Sequence, residues 1–319
     1  MTCFLLLGAR PNAMRCPLHC DVMQAARSMR QPTAAGGAMY GGRAWHASTG
    51  GATVRGWHWS GGGAAPVVAL HGFTGGGRDF EPLVRTRRAS WWAPDLPGHG
   101  AAYAVRPGAM YGMPAHLRVV DAAVAAAGAP VVLLGYSLGG RLALQWALRR
   151  PRHVAALVLV GATPGLVAPP ARRARARADQ LRARGVLRNG VAAFLARWRS
   201  QSLIATQQRI AQPYRRRMGL RRRGLTAWGL AGSLRGFSTG VMPPLWTQLH
   251  ALALPVLLVT GAEDEKFTVL ARAMVEALPC ATHHVLAGAG HACHLEAPAR
   301  FLAAWAAWRD DAGLADRRP

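Results

Sequence analysis

Lysine is all but missing from this chain. Lys266 is the only one, so a positive charge of 39 Lys and Arg against 14 Asp and Glu, +25 net, is carried almost wholly by arginine. Charge of that size invites a nucleic-acid reading. Against it, the arginine comes with abundant alanine and glycine, as in GC-rich coding, and the aromatic residues do not interleave with the arginines as a base-stacking surface requires. Cysteine is sparse and odd in number (Cys3, Cys16, Cys20, Cys280 and Cys293), which argues against a disulfide framework and fits a reducing cytoplasm. Cys16-Pro-Leu-His-Cys20 has the spacing of half a metal site, but no second half follows, so neither a metal nor another cofactor is called for. No apolar run is long enough to cross a bilayer, because Arg, Gly, Pro or His interrupts each one. The opening residues, Met1 to Gly8, have no basic leader and too short an apolar run for a secretory signal. Residues 1–40 lack sustained periodicity and are expected to be a disordered extension, or sequence upstream of a true start near Met39.

The 319 residues are 51% hydrophobic, enough for one large α/β domain with an insertion or for two small domains. Short apolar runs at 66–70, 131–134, 153–160, 254–260 and 281–286 read as strands, the most apolar of them buried on both faces of a parallel sheet. Residues 43–47 and 53–59 alternate apolar and polar side chains, as two antiparallel strands joined through Thr49-Gly-Gly would. Ser90 to Asp95 forms a further strand and turn. Helices are predicted around 114–127, from Leu142 onward, and from Pro298. Between 164 and 247 strands give way to Arg-rich helical sequence, including the solvated-looking Arg172-Arg-Ala-Arg-Ala-Arg-Ala. The expected fold is an α/β-hydrolase-type core over 41–163 and 248–319, a mostly parallel sheet flanked by helices, with 164–247 inserted as a helical lid.

Gly135-Tyr-Ser137-Leu-Gly139 lies between a buried strand and a helix, the context in which Gly-x-Ser-x-Gly makes a nucleophile elbow. His71-Gly-Phe73-Thr-Gly-Gly-Gly77 follows another strand, where its loop would supply one oxyanion N–H at Phe73, with the second at Leu138. Two later loops carry the remaining chemistry, Gly261-Ala-Glu-Asp264 at a strand end and Gly288-Ala-Gly-His291-Ala-Cys-His294 after the last strand. A serine hydroxyl is a weak base and nucleophile until an imidazole takes its proton, and a carboxylate must hold that imidazole's tautomer. The order Ser, Asp, His assigns Ser137, Asp264 and His291. Glu263 and Glu265 compete for the acid, and His294 for the imidazole. Asp95 and His99 are read as turn-forming residues of the Pro94–Gly100 loop.

With these residues in place, the sequence from about residue 43 onward resembles the α/β-hydrolase superfamily. Within it, the chain looks most like the SHCHC synthase family (2-succinyl-6-hydroxy-2,4-cyclohexadiene-1-carboxylate synthase) of menaquinone biosynthesis. The matching stretches are Leu70-His-Gly-Phe-Thr-Gly75, Gly135-Tyr-Ser-Leu-Gly-Gly-Arg141, Asp264-Glu-Lys-Phe267 and Gly290-His-Ala-Cys-His-Leu-Glu296. In the lid, residues 194–198, 233–240 and 242–246 are similar to that family's pattern. Ser202 stands where the family usually has Pro, 215–223 is unusually basic, and the first 40 residues have no counterpart. The resemblance implies a cofactor-free lyase that eliminates pyruvate from 2-succinyl-5-enolpyruvyl-6-hydroxy-3-cyclohexene-1-carboxylate, with Ser137 as base. A small substrate bearing three carboxylates calls for arginine donors. Arg141, Arg175 (with Arg172 beside it) and Arg235 are the candidates, with Trp198 against the ring. No nucleic acid or membrane span is expected, and the oligomeric state stays open. A carboxylesterase or C–C bond hydrolase using Ser137 as nucleophile is the alternative. A non-catalytic anion- or nucleic-acid-binding protein is a further one, disfavoured by the complete triad.

Overall fold

Alternation builds the first two strands. Arg43–Thr49 (β1) and Ala52–Trp59 (β2) pair antiparallel with His46 opposite Arg55. Trp45 and Val54 are buried while their neighbours His46 and Arg55 face outward, the pattern of a pair with one face on the core. The architecture is that of a computed structural model describing residues 41–49, 52–62, 64–84, 88–100, 111–128 and 130–313. The predicted extension over 1–40, with Cys16, Cys20 and Met39, and the Gly50-Gly51 turn lie outside the described residues.

The apolar runs form the remaining strands, Val67–Leu70 (β3), Trp91–Pro94 (β4), Val131–Tyr136 (β5), Val154–Val160 (β6), Val256–Gly261 (β7) and Ala281–Leu286 (β8). Among the described residues they make one eight-stranded sheet in the order β1-β2-β4-β3-β5-β6-β7-β8. β2 meets β4 antiparallel, and every pairing from β4 to β8 is parallel. Both faces are covered, which is why these strands are apolar throughout rather than alternating. Leu133, Leu157 and Leu258 pack with helices Met113–Ala127 (α1), Leu138–Arg149 (α2) and Glu265–Ala277 (α7). Leu134, Val158 and Val259 face the other way, onto Phe80, Leu83 and the C-terminal helix Pro298–Asp311 (α9) with Phe301 and Trp308.

Between β6 and β7 the chain forms Pro169–Arg199 (α3), Ser202–Ala205 (α4), Gln212–Arg222 (α5) and Ala227–Gly236 (α6). Proline opens α3, where its missing N–H costs nothing. Gly190, at φ 77° and ψ 169°, breaks the helical geometry within α3 and turns its second half. This insertion has its own small core, in which Ala183, Val186, Phe194 and Leu195 of α3 meet Leu230, Ala231 and Leu234 of α6.

Candidate active site

The parallel sheet sets the site, because the loops that follow adjacent parallel strands emerge side by side at one edge. β5 lies between β3 and β6, so its C-terminal turn emerges beside the loop after β3. Ser137 occupies that turn at φ 51° and ψ −104°, a strained geometry for a residue with a Cβ. Helix α2 then starts so close to the β3 loop that a Cβ on Gly139 would lie 2.0 Å from the Leu70 carbonyl oxygen and 2.7 Å from that of His71. The glycine permits this approach of α2 to the loop after β3.

His291 completes the arrangement from the loop after β8. Its Nδ1 donates to Asp264 Oδ2 at 2.6 Å and its Nε2 accepts from Ser137 Oγ at 2.9 Å, with His291 and Asp264 both buried. With Nδ1 turned to a carboxylate, the ring keeps its proton on that side, which leaves Nε2 as the nitrogen to take the Ser137 proton. Asp264 stands at the start of α7, and the rings of Phe267 and Tyr136 lie 4.6 and 5.3 Å from the imidazole. The competing residues are placed elsewhere. Glu263 is exposed and pairs with Arg209, Glu265 is an exposed residue of the first turn of α7, and His294 is buried against Tyr136, its pKa pulled down to about 3 by burial and then by His291.

The loop after β3 is held from below by neutral histidines. His71 Nδ1 donates to the Gly72 carbonyl at 2.8 Å, while its Nε2 accepts the Leu96 N–H at 2.9 Å. Burial keeps this ring's pKa below the ordinary histidine value. Asp95 accepts the Gly77 N–H at 2.8 Å, the turn role read from its surroundings. His99 packs its ring against both His71 and Phe73. Its Nδ1 meets the Pro97 carbonyl, and its buried Nε2 has no hydrogen-bond partner among the described residues.

Of the predicted binding residues, the structure brings Trp198 and Arg141 to this region and leaves Arg235 outside it. Trp198 stacks on Phe194 and meets the Phe73 ring edge-on at 5.1 Å. Arg141, on the first turn of α2, is buried. Its Nη1 donates to the Phe237 carbonyl at 3.0 Å, and the guanidinium carbon lies 5.3 Å from the Phe237 ring centre. Burial first, and Arg175 second, pull Arg141 down to about 9, still charged at neutral pH. Among the described residues no carboxylate forms an ion pair with it. Its neighbour Asp179 is already shared between Arg175 Nε at 2.6 Å and Arg182 Nη1 at 2.8 Å. Arg175 is therefore ion-paired and only half-buried, and Arg172, beside it, has a buried Nε with no hydrogen-bond partner among the described residues. Arg235 is exposed, and its Nε donates to Gln180 Oε1 at 3.0 Å on the outer side of α3 and α6. It sits about 100° around α6 from the buried Leu234.

The sequence reading missed how the insertion is fastened down. Arg221 of α5 pairs with Asp79 at 2.7 Å, and Arg217 with Glu81 at 3.3 Å, both carboxylates lying just beyond the Gly75-Gly-Gly77 run. Arg222 Nε reaches the carbonyl of Thr74 at 3.3 Å, a non-glycine residue at φ 66° within the same loop. The unusually basic 215–223 stretch thus supplies the anchor of the insertion on the core. The available signal was two acids directly after the glycine loop in an acid-poor chain.

A parallel sheet, a strained serine between strand and helix, and an Asp-His pair from the last two strand ends define a Ser-His-Asp member of the α/β hydrolases. The chain belongs to the alpha/beta hydrolase fold family, whose sequence model matches residues 65–298. It is 37% identical over 243 residues to a Bacillus subtilis (strain 168) protein provisionally named 2-succinyl-6-hydroxy-2,4-cyclohexadiene-1-carboxylate synthase, covering 74% of this chain and 86% of that one. It is 33% identical over 239 residues to the Salmonella paratyphi B protein of the same name, covering 74% and 90%. Among solved structures, MenH from S. aureus shares the fold at a TM-score of 0.73 and 24% identity, covering 80% of this chain and 98% of that one. A thermophilic esterase from Thermogutta terrifontis does so at 0.67 and 22%, covering 85% and 99%.

Proposed function

We propose that this chain is a 2-succinyl-6-hydroxy-2,4-cyclohexadiene-1-carboxylate synthase, a cytoplasmic lyase of menaquinone biosynthesis, with residues 164–247 as its lid. The observation that carries the reading beyond a generic serine hydrolase is Arg141. A guanidinium buried beneath the insertion with no carboxylate paired to it among the described residues is costly unless an anion arrives to complete it. The curated relatives named above, at more than 30% identity over most of their length, support the same substrate.

In the proposed reaction Ser137 Oγ takes the proton from the ring carbon beside the succinyl ketone as its own proton passes to His291 Nε2, with Asp264 steadying the imidazolium. The electron pair moves to the ketone oxygen, which lies against the Phe73 and Leu138 N–H groups, donors worth about two to three decades each in related sites. As the enolate collapses, the carbon–oxygen bond to the enolpyruvyl group breaks. The returning proton leaves the fragment as pyruvate, and no water is consumed. Arg141 holds a substrate carboxylate, with Arg175 adding positive potential and Trp198 packing on the ring.

The test follows pyruvate after mixing enzyme with the enolpyruvyl substrate, then repeats the assay with simple activated esters. Rapid pyruvate release with poor ester turnover and no acyl-enzyme burst is expected. Efficient ester hydrolysis through an acylated Ser137, with no pyruvate, would establish the esterase instead. Replacing the clamp separates binding from chemistry. Arg141→Ala is expected to raise KM for the enolpyruvyl substrate at least tenfold, about the worth of one charge-assisted pair. Losses confined to kcat at unchanged KM would remove Arg141 from substrate binding.

A further inference from the structure

Arg141 is held by a short relay of buried residues that the reaction above does not use. Its backbone belongs to the elbow, since the Arg141 N–H donates to the Ser137 carbonyl at 3.1 Å in the first turn of α2. Its side chain is held from the far end of α6, where Nη1 meets the Phe237 carbonyl at 3.0 Å and the Met242 sulfur at 3.7 Å. The Phe237 ring is buried and lies flat on that of His116, with centroids 4.2 Å apart and planes 17° from parallel. His116 stands in the first turn of α1, wholly buried, and its Nδ1 donates to the Gly112 carbonyl at 3.0 Å. The end of α6 presses on the same corner, because a Cβ on Gly236 would fall 2.3 Å from the Tyr111 carbonyl oxygen and 3.0 Å from Gly112 N. An imidazole is a costly choice here. Its Nε2 is buried with no hydrogen-bond partner among the described residues, a cost that an apolar ring would not carry. Burial pulls its pKa down to about 3 and Arg141 pushes the same way, so the ring stacked on Phe237 is neutral.

We propose that His116 is a positioning residue for the substrate clamp, fixing through Phe237 where the Arg141 guanidinium stands relative to Ser137 and so where a substrate carboxylate is held. The inference rests on the reading that Arg141 binds such a carboxylate, and not on which bond breaks afterwards. A long, rotamer-rich side chain with no carboxylate paired to it among the described residues takes its place from its neutral acceptors, here a carbonyl and a thioether. The position of that carbonyl therefore matters. The Gly112 bond sets the rotation of the imidazole, and the imidazole supplies an oriented plane that pins Phe237 beneath the clamp. A guanidinium already in place binds its anion without being ordered at each encounter. Loosening it weakens the hold on substrate before and during reaction alike, which raises KM and spares kcat.

The experiment uses the full chain and takes three readings on each variant. The first is KM and kcat for pyruvate release. The second is the rate at which a fluorophosphonate labels Ser137, a step that forms the Oγ–P bond, releases fluoride and passes the hydroxyl proton to His291. The third is the protection against that labelling given by benzene-1,3,5-tricarboxylate, a rigid trianion. His116→Ala is expected to raise KM about three- to tenfold and to weaken protection by the same factor, with kcat and unprotected labelling within about twofold of wild type. His116→Phe, which keeps the stack and loses the Gly112 bond, should fall between the two. In an Arg141→Ala background His116→Ala should add nothing, because both act on one guanidinium. A merely structural role would slow labelling and lower kcat together with any change in KM, and would persist in that background. Either result, or wild-type KM and protection in His116→Ala, would overturn the proposal. Should His116→Ala fail to fold, Phe237→Leu, which removes the other half of the stack, takes its place in the same cycle. Absence of pyruvate from the wild-type enzyme, with protection still governed by His116 through Arg141, would sink the lyase reading and leave the positioning role standing.

Discussion

Ser137→Ala is expected to abolish turnover almost completely, lowering kcat by about three to four orders of magnitude, the range seen when a positioned base and its partners stop acting as a unit. Substrate affinity should hardly change, because the hydroxyl is engaged by His291 Nε2 at 2.9 Å and the ground-state contact proposed above is made by Arg141 rather than by the serine. The fold should also be indifferent. The His291–Asp264 bond at 2.6 Å persists without the serine, and alanine meets the same positive φ at residue 137 as serine does. Stopped-flow pyruvate release for kcat, calorimetric titration for binding and a thermal melt for stability make the three measurements. A kcat loss below tenfold would take Ser137 out of the chemistry. A loss of affinity equal to the loss of rate would show that the hydroxyl binds substrate rather than reacting with it.

The second large effect is expected at a residue that carries no chemistry of its own. Gly161 ends β6 at φ 53°, and a Cβ there would lie 2.8 Å from both Cε1 and Nδ1 of His291. Gly161→Ala therefore imposes two costs. One is the left-handed backbone, about 1–2 kcal/mol for an L residue. The other is a methyl group driven into the face of the imidazole, which relieves the clash by turning away from Asp264. Displacement of about 1 Å in such a constellation costs around a hundredfold in rate. The expected result is at least that loss in kcat and a modest fall in melting temperature. Full activity in Gly161→Ala would mean that the imidazole has more room than the closed arrangement allows.

The two variants differ in how far their residues could be read from sequence, and the difference shows where such reading stops. The apolar runs of β5, β6 and β7 announced a sheet buried on two faces, and three glycine-rich strand ends in the order Ser, Asp, His announced the triad. Those signals are local, since each motif carries its own strand and turn. Gly161 carries none, because its importance comes from a histidine folded against it from 130 positions away. Arg235 shows the same limit from the other side. Arg235 is the one charged residue of α6, and its charge does not say which face turns inward. That is decided by partners distant in sequence, the Leu234 packing on one side and Gln180 on the other. The basic α5 stretch likewise looked like a departure until Asp79 and Glu81 were seen beneath it.

Three buried carboxylates, one within α3 and two on the core, also set how this insertion can drift. Asp179 is held by two arginines, Glu81 by Arg78 and Arg217, and Asp79 by Arg221 together with the Gly76 N–H. Where the guanidiniums are redundant, losing one leaves its acid still partnered, whereas losing the acid leaves arginines crowded around a buried gap. Mutational tolerance in this part of the chain is therefore lopsided, forgiving across many basic positions and strict at three acidic ones. An arginine-rich composition can spread through such an insertion without unmaking it so long as those three acids stay where they are.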